Sequence, residues 1–181
     1  MIYADVSVLF SGDLNMEGAK YLLEHPATAV EMDAQVFKAP HHGSHKFHPP
    51  LLEAIRPQVS VISSGDEPDH GHPRAIFVGA VGLASRSTKP LVFSTEIAAT
   101  FVEAGEKADP EPDASIEELD VRETGANAVA RRIFKQRLHG MINIRTDGKL
   151  FYAARRVAAG YWWESYGPIT PAPRPSIFGD A

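Results

Sequence analysis

Short apolar runs separated by polar segments fill the first hundred residues of the chain, and each run has the length of a buried strand. The runs predicted to be strands are residues 6–10, 34–37, 59–62, 91–95 and 98–102. Three helices are expected between them: one after Asn15, one opened by Pro49 and Pro50, and one over residues 74–84. Strands that alternate with short helices predict an α/β layered domain.

A different pattern follows in the second half of the chain. Residues spaced at helical intervals predict an amphipathic helix, namely Ala126, Val129, Ala130, Ile133 and Phe134. Residues 141–145 and 150–153 flank an Asp-Gly turn and predict a β-hairpin. We therefore divide the chain into a main unit at 1–102, an acidic loop at 103–120, a helix and hairpin completing the domain at 121–167, and a proline-rich tail at 168–181. The acidic loop and the tail lack apolar periodicity, so we expect both to be mobile.

The composition excludes several classes of protein. The 181 residues are 44% hydrophobic, which suits one folded domain, and no apolar run approaches the roughly 20 residues of a membrane span. The chain has no cysteine, which excludes disulfide scaffolds, cysteine nucleophiles and thiolate metal sites. The first residues lack the basic and apolar regions of a secretory signal, so we expect a cytoplasmic protein without a membrane partner.

The net charge of −5 is unevenly distributed. Residues 103–120 carry a net charge of −7, whereas residues 121–181 have 10 basic and 4 acidic side chains and a net charge of +6. The basic last third is either a solvated surface or a surface that binds the phosphates of a nucleic acid, and the sequence leaves both interpretations open.

Polar side chains with metal-binding chemistry follow three of the apolar runs. These segments are Ser11-Gly12-Asp13, His41-His42-Gly43-Ser44 and His70-Gly71-His72-Pro73. Functional groups of open α/β sheets collect beyond the carboxyl ends of the strands, and a carboxylate with imidazoles suits Zn²⁺, Mn²⁺ or iron. Each residue also has an ordinary structural interpretation, since Asp13 could begin a helix and His45 and His48 could simply face solvent.

Together with Val61-Ile62-Ser63-Ser64-Gly65, the three segments resemble the metallo-β-lactamase superfamily, most closely the hydrolase domain of DNA-internalisation competence proteins. The resemblance covers residues 6–95. It implies a divalent metal cofactor, Zn or Mn, with Asp13 as bridging and catalytic carboxylate and His41 as a ligand. It also implies that His72 lies at the rim of the same site as a catalytic group that handles a proton or the substrate.

The His-x-His-x-Asp-His motif that this superfamily carries in its N-terminal half does not occur in the sequence. We therefore expect a metallo-β-lactamase-like layered fold that amounts to the C-terminal half of an αββα sandwich. Half a sandwich would expose one apolar face of its sheet. Either a homodimer covers that face, or the hairpin at 141–153 and the aromatic residues at 161–163 fold back over it.

These features support three functions. The first is a metal-dependent hydrolase acting on phosphodiester or carboxylic ester bonds. The second is a non-catalytic interaction module that keeps the fold without the metal chemistry. The third is a metal-free esterase that uses Ser44 or Ser64, although no Gly-x-Ser-x-Gly motif supports it.

Overall fold

A central five-stranded sheet organises the structure, which is a computed structural model. The described residues are 1–25, 32–64, 72–103, 117–121, 130–137, 141–156 and 163–173. The central strands are β1 (Ile2–Tyr3), β2 (Val6–Phe10), β3 (Val36–Lys38), β4 (Val59–Ile62) and β5 (Leu91–Ser94), in that spatial order. Strands β2 to β5 are parallel and β1 is antiparallel to β2, so the sheet is mixed. The predicted α/β class is confirmed, whereas the metallo-β-lactamase-like fold stays a prediction.

Three helices connect the parallel strands: α1 (Met16–Glu24), α2 (Pro49–Ile55) and α3 (Ala75–Leu83). Successive strands are neighbours, and crossovers between parallel strands are right-handed, so all three helices fall on one face of the sheet. There they form a buried core with the sheet that includes Phe37, Leu52, Ile62 and Phe77. None of the described helices is long and apolar enough to cross a membrane.

The helix boundaries agree with the local signals in the sequence. The side chain of Asn15 accepts a hydrogen bond from the amide of Gly18 at 2.8 Å, which caps α1 as predicted. Ala19 is buried, and Leu22 and Leu23 pack against the same core. Pro49 stands in the first turn of α2, where a missing N–H costs nothing.

A second sheet covers the opposite face of the central sheet. Its strands are β9 (Ile142–Thr146), β10 (Phe151–Arg156) and β11 (Trp163–Ile169), all antiparallel, with β10 in the middle. Phe151 and Ala153 are fully buried against Val6, Val36 and Val59. The face that half a sandwich would leave open is therefore covered by the C-terminal sheet of the same chain. Of the two alternatives for this face, the structure shows the fold-back of the hairpin, and the homodimer stays a prediction.

The amphipathic helix predicted through Ala126 and Phe134 is wrong where the structure describes it. Residues Ala130–Arg137 form strand β8, which lies between β6 (Glu96–Glu103) and β7 (Glu117–Val121) in a third sheet. The pairing of β8 with β6 runs without interruption from Ala130 to Arg137, and β7 pairs on the other side. Hydrogen bonds on both sides of a central strand outweigh a helical pattern, because propensity is a weak determinant beside tertiary pairing.

The acidic loop predicted at 103–120 and the first part of the mobile tail predicted at 168–181 also need correction, while residues 174–181 lie outside the described residues. Strands β6 and β7 include residue 103 and residues 117–120, and the rest of the loop lies outside the described residues. Residues 168–173 are held in place rather than loose. Gln58 donates to the carbonyl of Thr170 at 2.9 Å and accepts from the amide of Ala172 at 2.8 Å, and Gln35 donates to the carbonyl of Ala172 at 2.9 Å. Proline content could not reveal these partners, since they come from elsewhere in the chain.

Candidate active site at the carboxyl ends of the strands

The loops that follow β2 and β3 meet at one edge of the central sheet. Because these strands are parallel neighbours, residues 11–13 and 40–44 leave the sheet on the same side. The hydroxyl of Ser11 donates to the carbonyl of Lys38 at 2.6 Å, and the amide of His41 donates to the carbonyl of Gly12 at 3.3 Å. The turn that carries Asp13 is thereby joined to the turn that carries the histidine pair.

Two consecutive histidines occupy an unusual backbone conformation in a 3₁₀ turn, Pro40–Gly43. His41 has φ 44° and ψ 42°, and His42 has φ 54° and ψ 23°, so both lie in the left-handed region. Such a conformation costs a non-glycine residue about 1–3 kcal/mol and is concentrated at functional sites. The turn is fixed by hydrogen bonds from the amide of Ser44 to the carbonyl of His41 and from the amide of Arg74 to the carbonyl of Gly43, each 2.9 Å long.

The imidazole of His42 has a defined orientation and a defined tautomer. Its Nδ1 lies 2.6 Å from the carbonyl oxygen of Ser63, at the end of β4. A carbonyl oxygen only accepts, so Nδ1 carries the proton of this bond and the neutral ring keeps its lone pair on Nε2. This is the arrangement in which histidines bind metals or accept protons, because the backbone partner fixes the ring. His42 is solvent-exposed, so Nε2 is reachable.

The segment before α3 closes the same edge. The hydroxyl of Ser64 donates to the carbonyl of His72 at 2.7 Å, and the amide of Ser64 donates to the hydroxyl of Thr95 at 2.7 Å. The backbone at His72 is thus anchored to the end of β4, as the histidine pair is through Ser63. The ends of three neighbouring strands hold the Asp13 turn, the histidine turn and His72 in one region.

The structure places each predicted residue at this edge with a different exposure. Asp13 is exposed on the turn between β2 and α1, whereas His41 and His72 are half-buried. Since Asn15 is the capping residue of α1, the interpretation of Asp13 as a helix start is not needed. His45 is exposed and His48 is half-buried at the start of α2, which fits an ordinary structural role for both. His70 lies outside the described residues.

The donor chemistry of this edge fits a divalent cation, because Asp13 and the histidine turn offer a carboxylate and imidazoles on joined loops. Within the described part of the chain, however, no three His, Asp or Glu side chains stand together as a metal-binding group. The described residues therefore supply part of a ligand set rather than a closed metal site.

The two serines considered as nucleophiles are poorly placed for that role. Ser44 and Ser64 are only 9% and 8% exposed. The hydroxyl of Ser44 accepts from the amide of Lys46 at 3.2 Å, and that of Ser64 is bound to the carbonyl of His72. Both hydroxyls hold loops in place, which argues against the serine esterase.

Sequence reasoning did not identify two further features, a buried ion pair and a pair of exposed aromatic residues. Asp33 and Arg86 form an ion pair of 2.6 Å with 5% and 8% of their side chains exposed, and their 53-residue separation gives no local signal. The outer face of the C-terminal sheet carries Tyr152 and Trp163 at 42% and 40% exposure. The alternation of polar and apolar residues along the predicted hairpin does mark Tyr152 as outward-facing.

Comparison with protein families, curated proteins and solved structures finds no match to this chain.

Proposed function

We propose that the edge formed by the Asp13 turn, the histidine turn and His72 is the active site of a metal-dependent hydrolase for phosphodiester or carboxylic ester bonds. The observation that carries the proposal is the left-handed backbone of His41 and His42 in a turn joined to the Asp13 turn. In this pair, the carbonyl of Ser63 orients the ring of His42. The resemblance of the same segments to the metallo-β-lactamase superfamily supports the reaction class.

Asp13 and His41 are the proposed ligands. Asp13 contributes the negative charge that offsets a divalent cation, and His41 contributes a borderline nitrogen donor from the adjoining turn. These donor types suit Zn²⁺ or Mn²⁺, and such an ion, when bound, would supply Lewis acidity to the scissile group and an activated water at neutral pH.

The remaining side chains of the edge are proposed to move protons and orient the substrate. His42 presents Nε2 as an acceptor, since its Nδ1 is committed to the carbonyl of Ser63, and this suits a general base. His72 is proposed to lie at the rim and to donate a proton to a leaving oxygen. The hydrogen bond from Ser64 to the carbonyl of His72 fixes the backbone that carries this ring.

Equilibrium dialysis against Zn²⁺ or Mn²⁺, followed by elemental analysis, tests the ligand assignment. Asp13→Asn and His41→Asn each remove a ligand, and asparagine tolerates the left-handed backbone at position 41. Both should weaken metal retention by at least about tenfold. The matched controls Asp5→Asn and His45→Asn change exposed residues that are not proposed ligands and should retain metal like the parent chain.

The outcomes separate the three hypotheses. Metal retention that survives both Asp13→Asn and His41→Asn would contradict the assignment. A parent chain that neither retains metal nor hydrolyses an ester would instead support a non-catalytic module. Hydrolysis that resists chelators and is lost in Ser64→Ala would favour the serine esterase.

A further inference from the structure

The outer face of the C-terminal sheet contains a groove of about 470 Å³. It is lined by Asn143, Arg145, Tyr152, Ala154, Trp163 and Ser165. These residues alternate along β9, β10 and β11 with the side chains that face the central sheet, such as Ile144, Phe151 and Tyr166. The groove is therefore on the side of the sheet that faces away from the protein core.

Two aromatic side chains stand at the two ends of the groove. In the pairing of β10 with β11, Trp163 is opposite Arg156, which follows Tyr152 by four residues. At the usual rise of a strand, this places the two residues about 13 Å apart along the strand direction. Ala154 and Ser165 are paired between them, and their small side chains form a low floor. The space between the rings is open to a flat ligand.

The orientation of Tyr152 is fixed by a glycine on the neighbouring strand. A β-carbon at Gly167 would lie 2.7 Å from Cδ1 of Tyr152, so the ring packs directly against the backbone of β11. Tyr152 nevertheless keeps 42% of its surface exposed. A ring held in place and still exposed suits stacking, since little side-chain entropy remains to be lost on binding.

The charge of the groove favours an anionic ligand. Arg145 is the residue paired with Tyr152 across the strands, and its Nε donates to Oδ1 of Asn143 at 3.2 Å, which orients the guanidinium. None of the six lining residues is acidic. The nearest acid on β11, Glu164, points to the other face and is paired with Arg155 at 2.7 Å. This sheet also belongs to the last third of the chain, whose net charge is +6.

We propose that this groove binds single-stranded nucleic acid, with bases stacked on Trp163 and Tyr152 and a backbone phosphate on Arg145. Every base has a flat face, and aromatic platforms beside a cation bind unpaired strands with little sequence preference. Paired bases cannot reach such rings, so a duplex fits less well. Arg145 is the one cation among the six lining residues, which suits a chain with one charge per nucleotide better than a free nucleotide that gathers several charges on adjacent phosphates.

The proposal is independent of the hydrolase site, because the groove and the strand ends are built from different residues. Fluorescence anisotropy with a labelled 12-nucleotide single-stranded DNA measures binding to the full chain. Trp163→Leu and Tyr152→Leu should each raise Kd about tenfold. Arg145→Gln should raise Kd and reduce the slope of log Kd against log salt by about 0.7, the share of one phosphate contact.

Matched controls distinguish this site from diffuse attraction. Tyr21→Leu changes an aromatic ring that is 62% exposed on α1, and Lys149→Gln removes a cation from the hairpin turn, so neither should change Kd. Trp163→Phe keeps a smaller stacking ring and should bind between the parent chain and Trp163→Leu. Far-UV circular dichroism checks that each variant is folded.

Four results would overturn the proposal. The first is equal affinity of the parent chain and Trp163→Leu for the 12-mer, and the second is an equal rise of Kd in Lys149→Gln and Arg145→Gln. The third is a duplex that binds as tightly as the single strand. The fourth is a mononucleotide or a neutral oligosaccharide that binds as tightly as the 12-mer. A tight mononucleotide would identify a free nucleotide as the ligand, and a tight oligosaccharide would identify a sugar.

Discussion

Gly43 lies directly against Pro73: a β-carbon built on Gly43 would be 2.8 Å from Cβ of Pro73 and 3.1 Å from Cγ2 of Ile62. This contact brings the histidine turn and the His72 segment together at the edge of the sheet. The φ of Gly43 is +79°, which a side chain would also strain. The close approach of these two segments therefore depends on glycine at this position.

Gly43→Ala should lower the free energy of unfolding by between about 1 and 3 kcal/mol, because the added methyl group must displace Pro73 and the backbone is left-handed. Gly79→Ala is the matched control, since a β-carbon at Gly79 in α3 meets nothing within 4 Å. That variant should raise the free energy of unfolding by about 0.5–1 kcal/mol. Urea denaturation measures both, and equal effects would contradict the packing described.

Arg86→Met should be strongly destabilising because it removes the close, buried cation of Asp33 and leaves only the exposed Arg56 near that carboxylate. Arg86 also donates to the carbonyl of Ile55 at 2.9 Å and to that of Arg56. The loss of one partner of a buried ion pair costs about 3–5 kcal/mol. Arg56→Met is the control, since Arg56 lies 3.7 Å from the same carboxylate and is 51% exposed, and it should cost less than about 1 kcal/mol. A thermal or urea titration showing similar losses for both would be inconsistent with this geometry.

Gln58→Leu should release the segment that follows β11. The amide of Ala172 donates to the side chain of Gln58, so its hydrogen exchange should be slow in the parent chain and become fast in the variant. The amide of Leu150, held by Asp147 at 2.8 Å in the hairpin turn, should not change. Fast exchange at Ala172 in the parent chain would contradict the docking of residues 170–173.

The stability of the C-terminal sheet should depend on the charge of Glu164. Hydrogen bonds from Tyr166 and Arg155 lower the pKa of Glu164 below its ordinary value of 4.5. A depressed pKa in the folded state stabilises the fold above pH 4.5, and the stabilisation is lost as the pH falls through the lowered value. The parent chain should be more stable than Glu164→Gln at pH 7, and the difference should disappear at low pH. A difference that stays constant down to pH 3 would contradict this linkage.

The same contact raises the pKa of Tyr166 above 10.0, because the hydroxyl donates to Glu164 at 2.6 Å. A raised pKa in the folded state stabilises the fold below pH 10 and ceases to do so as the pH rises through the raised value. Ultraviolet titration of the parent chain should therefore contain a late component, from Tyr166, with a pKa above 10.0. In Tyr166→Phe this late titration should be missing.

The elements whose signals are local could be predicted from the sequence. The N-cap at Asn15, the prolines that open α2 and the Asp-Gly turn of the hairpin each act within a few residues. Strand β8 could not be predicted, because its register is set by β6 and β7, and the latter pairing shifts between Glu118 and Val121. The docking of residues 170–173 likewise depends on Gln35 and Gln58, which are more than a hundred residues away.

The candidate site likewise contains residues that the sequence predicts and features that only the fold reveals. The spacing of Asp13 and the histidine pair after successive strands placed them at one edge, since parallel strands share their carboxyl ends. The sequence did not distinguish His42 from its neighbour, because the carbonyl of Ser63 that orients its ring is 21 residues away. The left-handed backbone of the two histidines is likewise a property of the folded loops.

The most direct test of the account is hydrolysis of bis(p-nitrophenyl) phosphate and p-nitrophenyl acetate by the purified chain with added Zn²⁺ or Mn²⁺. The account predicts hydrolysis of at least one substrate that a chelator stops, that Asp13→Asn loses and that Asp5→Asn keeps. Hydrolysis that is unchanged by the chelator and by Asp13→Asn would contradict it. Failure to hydrolyse both substrates at saturating metal would also contradict it.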